Sequence, residues 1–147
     1  MLHIRQIPAS ETYKMRHIIL RPNQLIEDCV YQGDEEETTV HLGAFWEGKL
    51  ISIGSFLKAS SSIFNDGLQY QLRGMATDPQ YRRQKAGSTL MAEAEKMLRA
   101  KDVELLWCNA RLGVKNYYNH LGFTQVGDRF EIEPIGPHVI MLKKLNS

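Results

Sequence analysis

The sequence predicts an α/β (α+β) fold, with a single mixed, mostly antiparallel central sheet of about seven strands and helices on both faces. Segments with strand-like alternation or short apolar runs recur along the chain, and stretches with helical spacing of apolar residues interrupt them. Their order is strand, helices, three strands, helix, strand, helix and two strands. No repeat or linker is visible, so we expect residues 1–147 to form a single domain.

The first predicted elements are a strand and two helices. Leu2–Ile7 alternates as a strand, and Pro8 opens a helix that runs to about Leu20. Pro22 stops this helix because proline lacks the backbone N–H that a helix interior needs. The following segment, Gln24–Cys29, is compatible with a short second helix.

A hairpin is predicted next, after an acidic segment. Gly33–Thr38 (GDEEET) is expected to be a solvated surface loop rather than a metal site. Thr39–Trp46 and Lys49–Lys58 are then expected to pair around a turn at Glu47 and Gly48.

The central strand and the longest helix follow. A serine-rich loop over Ala59–Gly67 leads to the predicted strand Gln69–Thr77 (QYQLRGMAT). A helix then ends near Lys101. Its apolar residues recur at helical spacing and define one face: Leu90, Met91, Ala94, Met97 and Leu98.

Three strands and a short helix complete the prediction. Val103–Ala110 (VELLWCNA) is mostly apolar, as strands buried on both faces are. Val114–Leu121 is a short helix closed by Gly122. Gln125–Ile132 and Val139–Lys144 are the last two strands, and a turn rich in proline separates them.

The charge balance argues against binding to nucleic acid or to a membrane surface. The chain carries 18 basic and 17 acidic residues, for a formal net charge of +1, so no global basic field favours nucleic acid or a membrane surface. No apolar run approaches the ~18 residues of a membrane span. We therefore expect a cytoplasmic protein with neither nucleic acid nor membrane as a partner.

The two cysteines predict no metal or disulfide chemistry. Cys29 and Cys108 are too few and too far apart for a disulfide framework or a zinc site, so no metal is expected. Both are interpreted as reduced thiols. Cys108 lies in an apolar strand, where burial should raise its pKa.

The segment Asp78–Thr89 (DPQYRRQKAGST) is the strongest candidate for a binding site. It lies where a predicted strand gives way to a helix, and the first amides of a helix lack intrahelical acceptors and meet the positive end of the helix dipole. Neither the Walker phosphate loop nor the three-glycine dinucleotide fingerprint is present. The segment therefore predicts a pyrophosphate cradle of another kind.

The cradle resembles the acyl-CoA loop of the GNAT N-acetyltransferases. That loop has the pattern Arg/Gln-x-x-Gly-x-Gly/Ala, which corresponds to Arg82–Gly87 with Lys85 at the first glycine position. Essentially the whole chain resembles the glyphosate N-acetyltransferase branch of this family, which also carries lysine there. The matching segments are RHIILRPNQ (Arg16–Gln24), YQLRGMAT (Tyr70–Thr77), QKAGSTL (Gln84–Leu90), LWCNAR (Leu106–Arg111), YYNHLGF (Tyr117–Phe123) and GPH (Gly136–His138).

The resemblance implies transfer of an acetyl group from acetyl-CoA to the amine of a small anionic acceptor, an amino-acid-like phosphonate or dicarboxylate with glyphosate as an incidental substrate. It assigns Arg21, Arg73 and Arg111 to the acceptor's anionic groups, His138 as base and Tyr118 as acid, in direct attack without an acyl-enzyme. Cofactor-binding residues are then expected at Met75, Ala76, Thr77, Arg82, Arg83, Gln84, Lys85, Ala86, Gly87, Ser88, Thr89 and Asn109.

Each assigned residue also has an ordinary structural interpretation. Arg73 could form a structural ion pair, and Arg111 could be a solvated loop arginine just past its strand. Arg21 lies at a helix end, where the helix dipole alone favours a cation. His138 follows Gly136-Pro137 at the start of an edge strand and could be structural, and Tyr118 could be a core aromatic.

Two other functions stay open at this point. One is an acetyltransferase for another amine, such as a lysine, a protein N-terminus or an aminoglycoside, although a cationic acceptor fits poorly beside three arginines. The other is a catalytically silent CoA-binding or metabolite-sensing module. The oligomeric state, monomer or homodimer, is also open.

Overall fold

The computed structural model describes residues 1–64 and 67–145. Asn65 and Asp66 of the predicted serine-rich loop lie outside the described residues. Seven strands form one sheet in the order β1-β2-β3-β4-β5-β7-β6. Their bounds are β1 (Leu2–Gln6), β2 (Val40–Trp46), β3 (Lys49–Lys58), β4 (Gln69–Thr77), β5 (Leu105–Arg111), β6 (Thr124–Ile132) and β7 (Gly136–Lys144).

The sheet is mixed, as the sequence predicts. β1 and β2, β2 and β3, β5 and β7, and β6 and β7 pair antiparallel. β4 and β5 pair parallel, with Gln69–Gln71 opposite Leu105–Trp107. The predicted hairpin is confirmed, since Glu47 (φ 48°) and Gly48 (φ 81°) both take the positive φ angles of a tight turn between twisted strands.

The helical segments are α1 (Tyr13–Met15), α2 (Ala86–Ala100) and α3 (Lys115–His120). The long first helix expected from the sequence is irregular: a 3₁₀ turn at Ala9–Thr12 precedes α1, and a π-helical turn at Arg16–Leu20 follows it. The second helix expected near Gln24 is only a 3₁₀ turn at Ile26–Cys29.

Contacts divide the chain into two compact units. The first comprises Met1–Leu57 and Arg73–Met97, and the second comprises Lys58–Leu72 and Leu98–Ser147. The first unit has a core cluster of Ile7, Phe45, Ile53 and Ala76, against which Met15, Ile19, Leu20 and Leu50 pack. The second has a cluster of Leu105, Trp107 and Leu142, packed by Ala59, Phe64, Val126 and Ile140.

Two strand assignments differ from the sequence prediction and move candidate residues. β5 continues through Arg111, which is therefore the last residue of a strand and not the first of a loop. β7 begins at Gly136 and lies between β5 and β6, so His138 is inside a central strand and not at an edge. The reason is that pairing with β5 on one side and β6 on the other satisfies the backbone groups on both sides of β7.

Candidate active site

The segment between β4 and α2 begins with a 3₁₀ turn. Asp78 caps this turn, because its Oδ1 accepts a hydrogen bond of 3.0 Å from the amide of Gln80. The turn extends over Pro79–Gln84, and Lys85 after it has φ 59° and ψ 30°, in the left-handed region. That conformation favours glycine, so it gives a physical reason for a glycine at this position in the wider pattern.

Helix α2 begins directly after Lys85. The carbonyl of Lys85 accepts the first hydrogen bond of the helix, which the amide of Thr89 donates at 3.0 Å. It also accepts hydrogen bonds from the hydroxyls of Ser88 and Thr89, at 3.1 and 2.8 Å. The amides of Ala86, Gly87 and Ser88 precede that bond and have no acceptor within the helix. With the helix dipole, they can bind an anion.

The arginines before α2 are exposed, whereas the apolar residues of α2 are mostly buried. Arg82 and Arg83 are exposed and remain available to an anion in solution. The predicted apolar face of α2 is confirmed, because four of its five residues are buried: Leu90, Met91, Ala94 and Leu98. Met97 is half-buried.

The end of β4 is held by Ser52 of β3. The Ser52 hydroxyl donates to the carbonyl of Ala76 at 3.0 Å and lies 2.8 Å from the Thr77 hydroxyl. Ala76 is buried, whereas Met75 and Thr77 are half-buried. Of the other predicted cofactor residues, Gln84 is half-buried, while Asn109 in β5 is exposed.

Two of the predicted anion-binding arginines meet at one aromatic ring in the first unit. The guanidinium carbons of Arg73 and Arg21 lie 4.3 Å and 4.9 Å from the ring centroid of Tyr31. Arg21 also donates to the carbonyl of Asp28 at 3.1 Å. Burial, together with the charges of Arg21 and Arg16, lowers the pKa of Arg73, although the nearby Tyr31 and Asp34 oppose this shift. Among the described residues, no carboxylate forms an ion pair with Arg73 or Arg21 within 4.0 Å.

A third arginine at the same ring is structural, and its role was not predicted from the sequence. Arg16 is fully buried, with its guanidinium carbon 3.9 Å from the Tyr31 centroid. It donates two hydrogen bonds to Asp34, at 2.7 and 3.0 Å, and further bonds to the carbonyl of Cys29 and the hydroxyl of Ser55, both at 2.8 Å. An arginine in the apolar run RHIIL was the only available signal.

Asp34 corrects the expectation that GDEEET is entirely solvated. Its neighbours Glu35 and Glu36 are exposed, but Asp34 is buried against Arg16. Burial by itself raises the pKa of Asp34, but hydrogen bonds from Arg16 and from the amide of Tyr31 outweigh it and hold the pKa below its ordinary value. The carboxylate is therefore ionised and compensated.

The other three residues predicted to bind the acceptor or move protons, Arg111, Tyr118 and His138, belong to the second unit. Arg111 and His138 are direct partners across β5 and β7. His138 is 4% exposed, and its Nδ1 lies 2.8 Å from the carbonyl oxygen of Gly136. Because a carbonyl can only accept, Nδ1 carries the proton, and in the neutral ring Nε2 carries the lone pair. His138 is thus oriented with Nε2 as its basic atom.

The two adjacent tyrosines of α3 differ in burial. Tyr118 is buried and meets Tyr117 and Phe123 edge to face, at centroid distances of 5.5 and 5.6 Å, whereas Tyr117 is 40% exposed. Burial, with smaller contributions from Cys108 and Tyr117, raises the pKa of Tyr118, and the nearby Arg111 opposes the shift. The Tyr118 phenol therefore keeps its proton at neutral pH.

The thiol in this unit is buried and protonated at neutral pH. Cys108 is buried in β5, and burial raises its pKa to about 12, as the sequence predicts. Within residues 1–64 and 67–145, no three His, Cys, Asp or Glu side chains come together as metal ligands. In the same part of the chain, no helix combines the length and apolar character that crossing a membrane requires.

The chain is similar to known proteins of one family. Residues 15–145 match the family described as Acetyltransferase (GNAT) domain. An uncharacterized N-acetyltransferase of Bacillus subtilis (strain 168), YitI, is 48% identical over 147 residues, which cover 100% of this chain and 99% of that protein.

Solved structures share the fold at low sequence identity. FeeM, an N-acyl amino acid synthase from uncultured soil microbes, has a TM-score of 0.81 at 12% identity and covers 99% of this chain and 91% of its own. An aminoglycoside 6'-N-acetyltransferase complexed with coenzyme A has a TM-score of 0.77 at 11% identity, with 99% and 98% covered. Escherichia coli ElaA has a TM-score of 0.74 at 18% identity, with 97% and 99% covered. The expected fold is thereby confirmed, and the chain belongs to the GNAT acetyltransferase family as an acetyl-CoA-dependent N-acetyltransferase.

Proposed function

We propose that this enzyme acetylates the amine of a small anionic acceptor, such as an amino acid with a second carboxylate or a phosphonate. Arg21, Arg73 and Arg111 bind the acceptor's anionic groups, His138 is the base and Tyr118 is the acid. Glyphosate has the required chemistry, an amine with a carboxylate and a phosphonate, and is included as an incidental substrate.

One observation carries the choice of an anionic acceptor. Arg21 and Arg73 lie at the same ring, at 4.9 and 4.3 Å from the centroid of Tyr31, and neither has a carboxylate partner within 4.0 Å among the described residues. Two neighbouring guanidinium groups repel each other, and burial of Arg73 adds to that cost. A dianionic ligand relieves both, and guanidinium forks bind carboxylate and phosphonate by paired hydrogen bonds.

The chemistry requires loss of a proton from the amine and gain of one by the leaving thiolate. His138 Nε2 accepts the proton as the amine nitrogen attacks the thioester carbonyl, and the C–N bond forms as the C–S bond breaks. The protonated Tyr118 phenol donates to the departing CoA sulfur. Cys108, with its pKa near 12, takes no part, so the acetyl group passes directly between the substrates.

The cradle supplies the cofactor site in this proposal. The pyrophosphate of acetyl-CoA lies at the amides of Ala86, Gly87 and Ser88, with Arg82 and Arg83 adding positive charge. Lys85, Gln84 and Thr89 flank these amides, and Asn109 contacts the cofactor from β5. A backbone amide in Met75–Thr77 stabilises the developing oxyanion.

The test is acetyl-CoA-dependent thiol release with a matched panel of acceptors. Aspartate, glutamate, aminophosphonates and glyphosate are compared with an aminoglycoside, a lysine peptide and neutral amino acids. We expect turnover confined to the dianionic amines. Arg73→Ala should raise the acceptor KM by about tenfold or more, the loss expected for a charge-assisted bidentate contact, with the acetyl-CoA KM unchanged.

Preference for the aminoglycoside or the peptide would replace the acceptor assignment, since it would show that the arginines do not select the substrate. Tight acetyl-CoA binding without turnover of any amine would instead favour the second candidate, a catalytically silent CoA-binding or metabolite-sensing module. The presence of an oriented imidazole at His138 and a protonated phenol at Tyr118 favours the enzyme over the silent module.

A further inference from the structure

Tyr31 contacts more cations than any other ring in the described part of the chain. Arg16, Arg73 and Arg21 have their guanidinium carbons 3.9, 4.3 and 4.9 Å from its centroid. The rings of Phe45 and Tyr81 each have a single cation nearby. Tyr31 is only 7% exposed, so its interaction with these cations is little screened by water.

Asp34 holds the backbone of Tyr31 by two hydrogen bonds. The Tyr31 amide donates to Asp34 Oδ2 at 2.8 Å, and the Asp34 amide donates back to the Tyr31 carbonyl at 3.1 Å. Asp34 also holds Arg16 through both carboxylate oxygens. The buried Asp34 thereby holds both the backbone that carries the Tyr31 ring and the Arg16 guanidinium.

Gly74 allows β4 to approach this ring closely. Its φ is +63°, and a Cβ added there would lie 3.1 Å from Tyr31 Cε2 and 3.0 Å from Arg16 Nε. A side chain would therefore meet both groups and would be strained by the backbone angle. The neighbouring residue, Arg73, has its guanidinium carbon 4.3 Å from the centroid of the same ring.

We propose that Tyr31 is a positioning residue for acceptor binding, whose ring holds the guanidinium groups of Arg21 and Arg73 close together in the free enzyme. This inference rests on the proposed function. The negative face of the ring attracts both cations without using their N–H donors, which a carboxylate partner would occupy. The donors are then oriented in advance for a dianionic acceptor, which reduces the cost of ordering them on binding.

The experiment compares Tyr31→Leu, Tyr31→Phe and Phe56→Leu with wild type in steady-state kinetics. Phe56 is fully buried in β3 and controls for the loss of a core ring. We expect Tyr31→Leu to raise the acceptor KM about tenfold, the size of a lost cation–π contact at a desolvated site, with kcat and the acetyl-CoA KM within about twofold. Tyr31→Phe should keep the acceptor KM close to the wild-type value, because this variant keeps the aromatic ring.

A double-mutant cycle separates positioning from a general structural effect. If Tyr31 acts through Arg21 and Arg73, Tyr31→Leu should change the acceptor KM by less than about twofold in a background that carries both Arg21→Ala and Arg73→Ala. A full tenfold change there would overturn the inference, as would an unchanged acceptor KM in Tyr31→Leu. Parallel losses of kcat and acetyl-CoA affinity in Tyr31→Leu and Phe56→Leu would also overturn it.

The same data distinguish this inference from the proposed function. If Arg73→Ala raises the acceptor KM and Tyr31→Leu does not, the arginines bind the acceptor but the ring does not position them. If Arg73→Ala itself leaves the acceptor KM unchanged, the anion-binding role of the arginine fails, and the inference that rests on it fails too.

Discussion

Arg111 and His138 face each other directly across the antiparallel pair β5 and β7. They are 27 positions apart in sequence, and strand pairing brings their Cα atoms to within about 4.5–5.5 Å. His138 is buried and oriented through its Nδ1 proton, whereas Arg111 is half-buried. A cation and a base with proposed roles in one reaction therefore form a single directly opposed pair of the β5–β7 ladder.

Replacing His138 by alanine tests its role as base. We expect His138→Ala to lower kcat by about a hundredfold, since a positioned general base contributes about 10²–10⁴-fold. The acetyl-CoA KM should be unchanged. His3→Ala removes an exposed histidine in β1 and is the matched control. Near-normal turnover in His138→Ala would remove this residue from the mechanism.

Tyr118→Phe tests the acid while keeping the packing. The ring still meets Tyr117 and Phe123, so the free energy of unfolding should change little, whereas kcat should fall by about tenfold to a hundredfold. Because burial raises the pKa of Tyr118 above 10.0, wild-type kcat should show no alkaline loss from this group below about pH 10. Tyr117→Phe is the control, and an equal loss of kcat in both variants would contradict the assignment.

Cys108→Ala tests direct transfer against a covalent acyl-enzyme. With its pKa raised to about 12, the thiol is ionised to only about one part in ten thousand at pH 8. We therefore expect kcat within about threefold of wild type. Stopped-flow acetyl transfer without acceptor should show no burst of free CoA. Complete loss of turnover with acetyl-CoA binding intact would favour the covalent route.

Asp34→Asn should destabilise the first unit, because it leaves the fully buried Arg16 without its counter-charge. Breaking such a pair costs about 3–5 kcal/mol of the free energy of unfolding, measurable by urea denaturation. Glu35→Gln, at the exposed neighbouring position, should change that free energy by less than about 0.5 kcal/mol. A similar small effect in both variants would show that the Arg16–Asp34 pair contributes no net stability.

The same carboxylate predicts an acid limb in the stability curve. The folded-state pKa of Asp34 lies below its ordinary value of 3.8, so its contribution to stability is present above that pH. The contribution is lost as the pH falls through the lowered folded-state pKa. Unfolding measured between pH 6 and pH 2 should therefore show a shallower acid limb in Asp34→Asn than in wild type.

Lys85→Gly tests the conformation at the start of α2. Lys85 has φ 59°, where glycine has no steric cost, so this variant should raise the free energy of unfolding by up to about 1 kcal/mol. Arg83→Gly, within the 3₁₀ turn, should lower it instead. A loss of stability in Lys85→Gly, measured by thermal unfolding, would show that the lysine side chain makes a compensating contact.

Local sequence patterns predicted the features that depend on near neighbours in the chain. Period-two alternation identified the strands, Glu47 and Gly48 identified the hairpin turn, and the 3.6-residue period identified the buried face of α2. The Asp78–Thr89 segment could be proposed as an anion cradle because helix amides and nearby arginines are local features. The irregularity of the first helix was missed because π-helical turns are rare and occur mostly as single turns within α-helices, too short to change the apolar periodicity of the segment.

The sequence alone therefore determined the fold class, and it supplied the candidate cradle and the residue types able to bind an anion and move a proton, since all of these follow from periodicity and side-chain chemistry. Only the tertiary structure decided which charges are compensated. Burial and pairing distinguish Asp34 from its exposed neighbours in GDEEET. They also distinguish Arg16, which pairs with Asp34, from Arg73, which has no carboxylate within 4.0 Å among the described residues. Desolvation and counter-charge depend on residues distant in sequence, so no local pattern contains them.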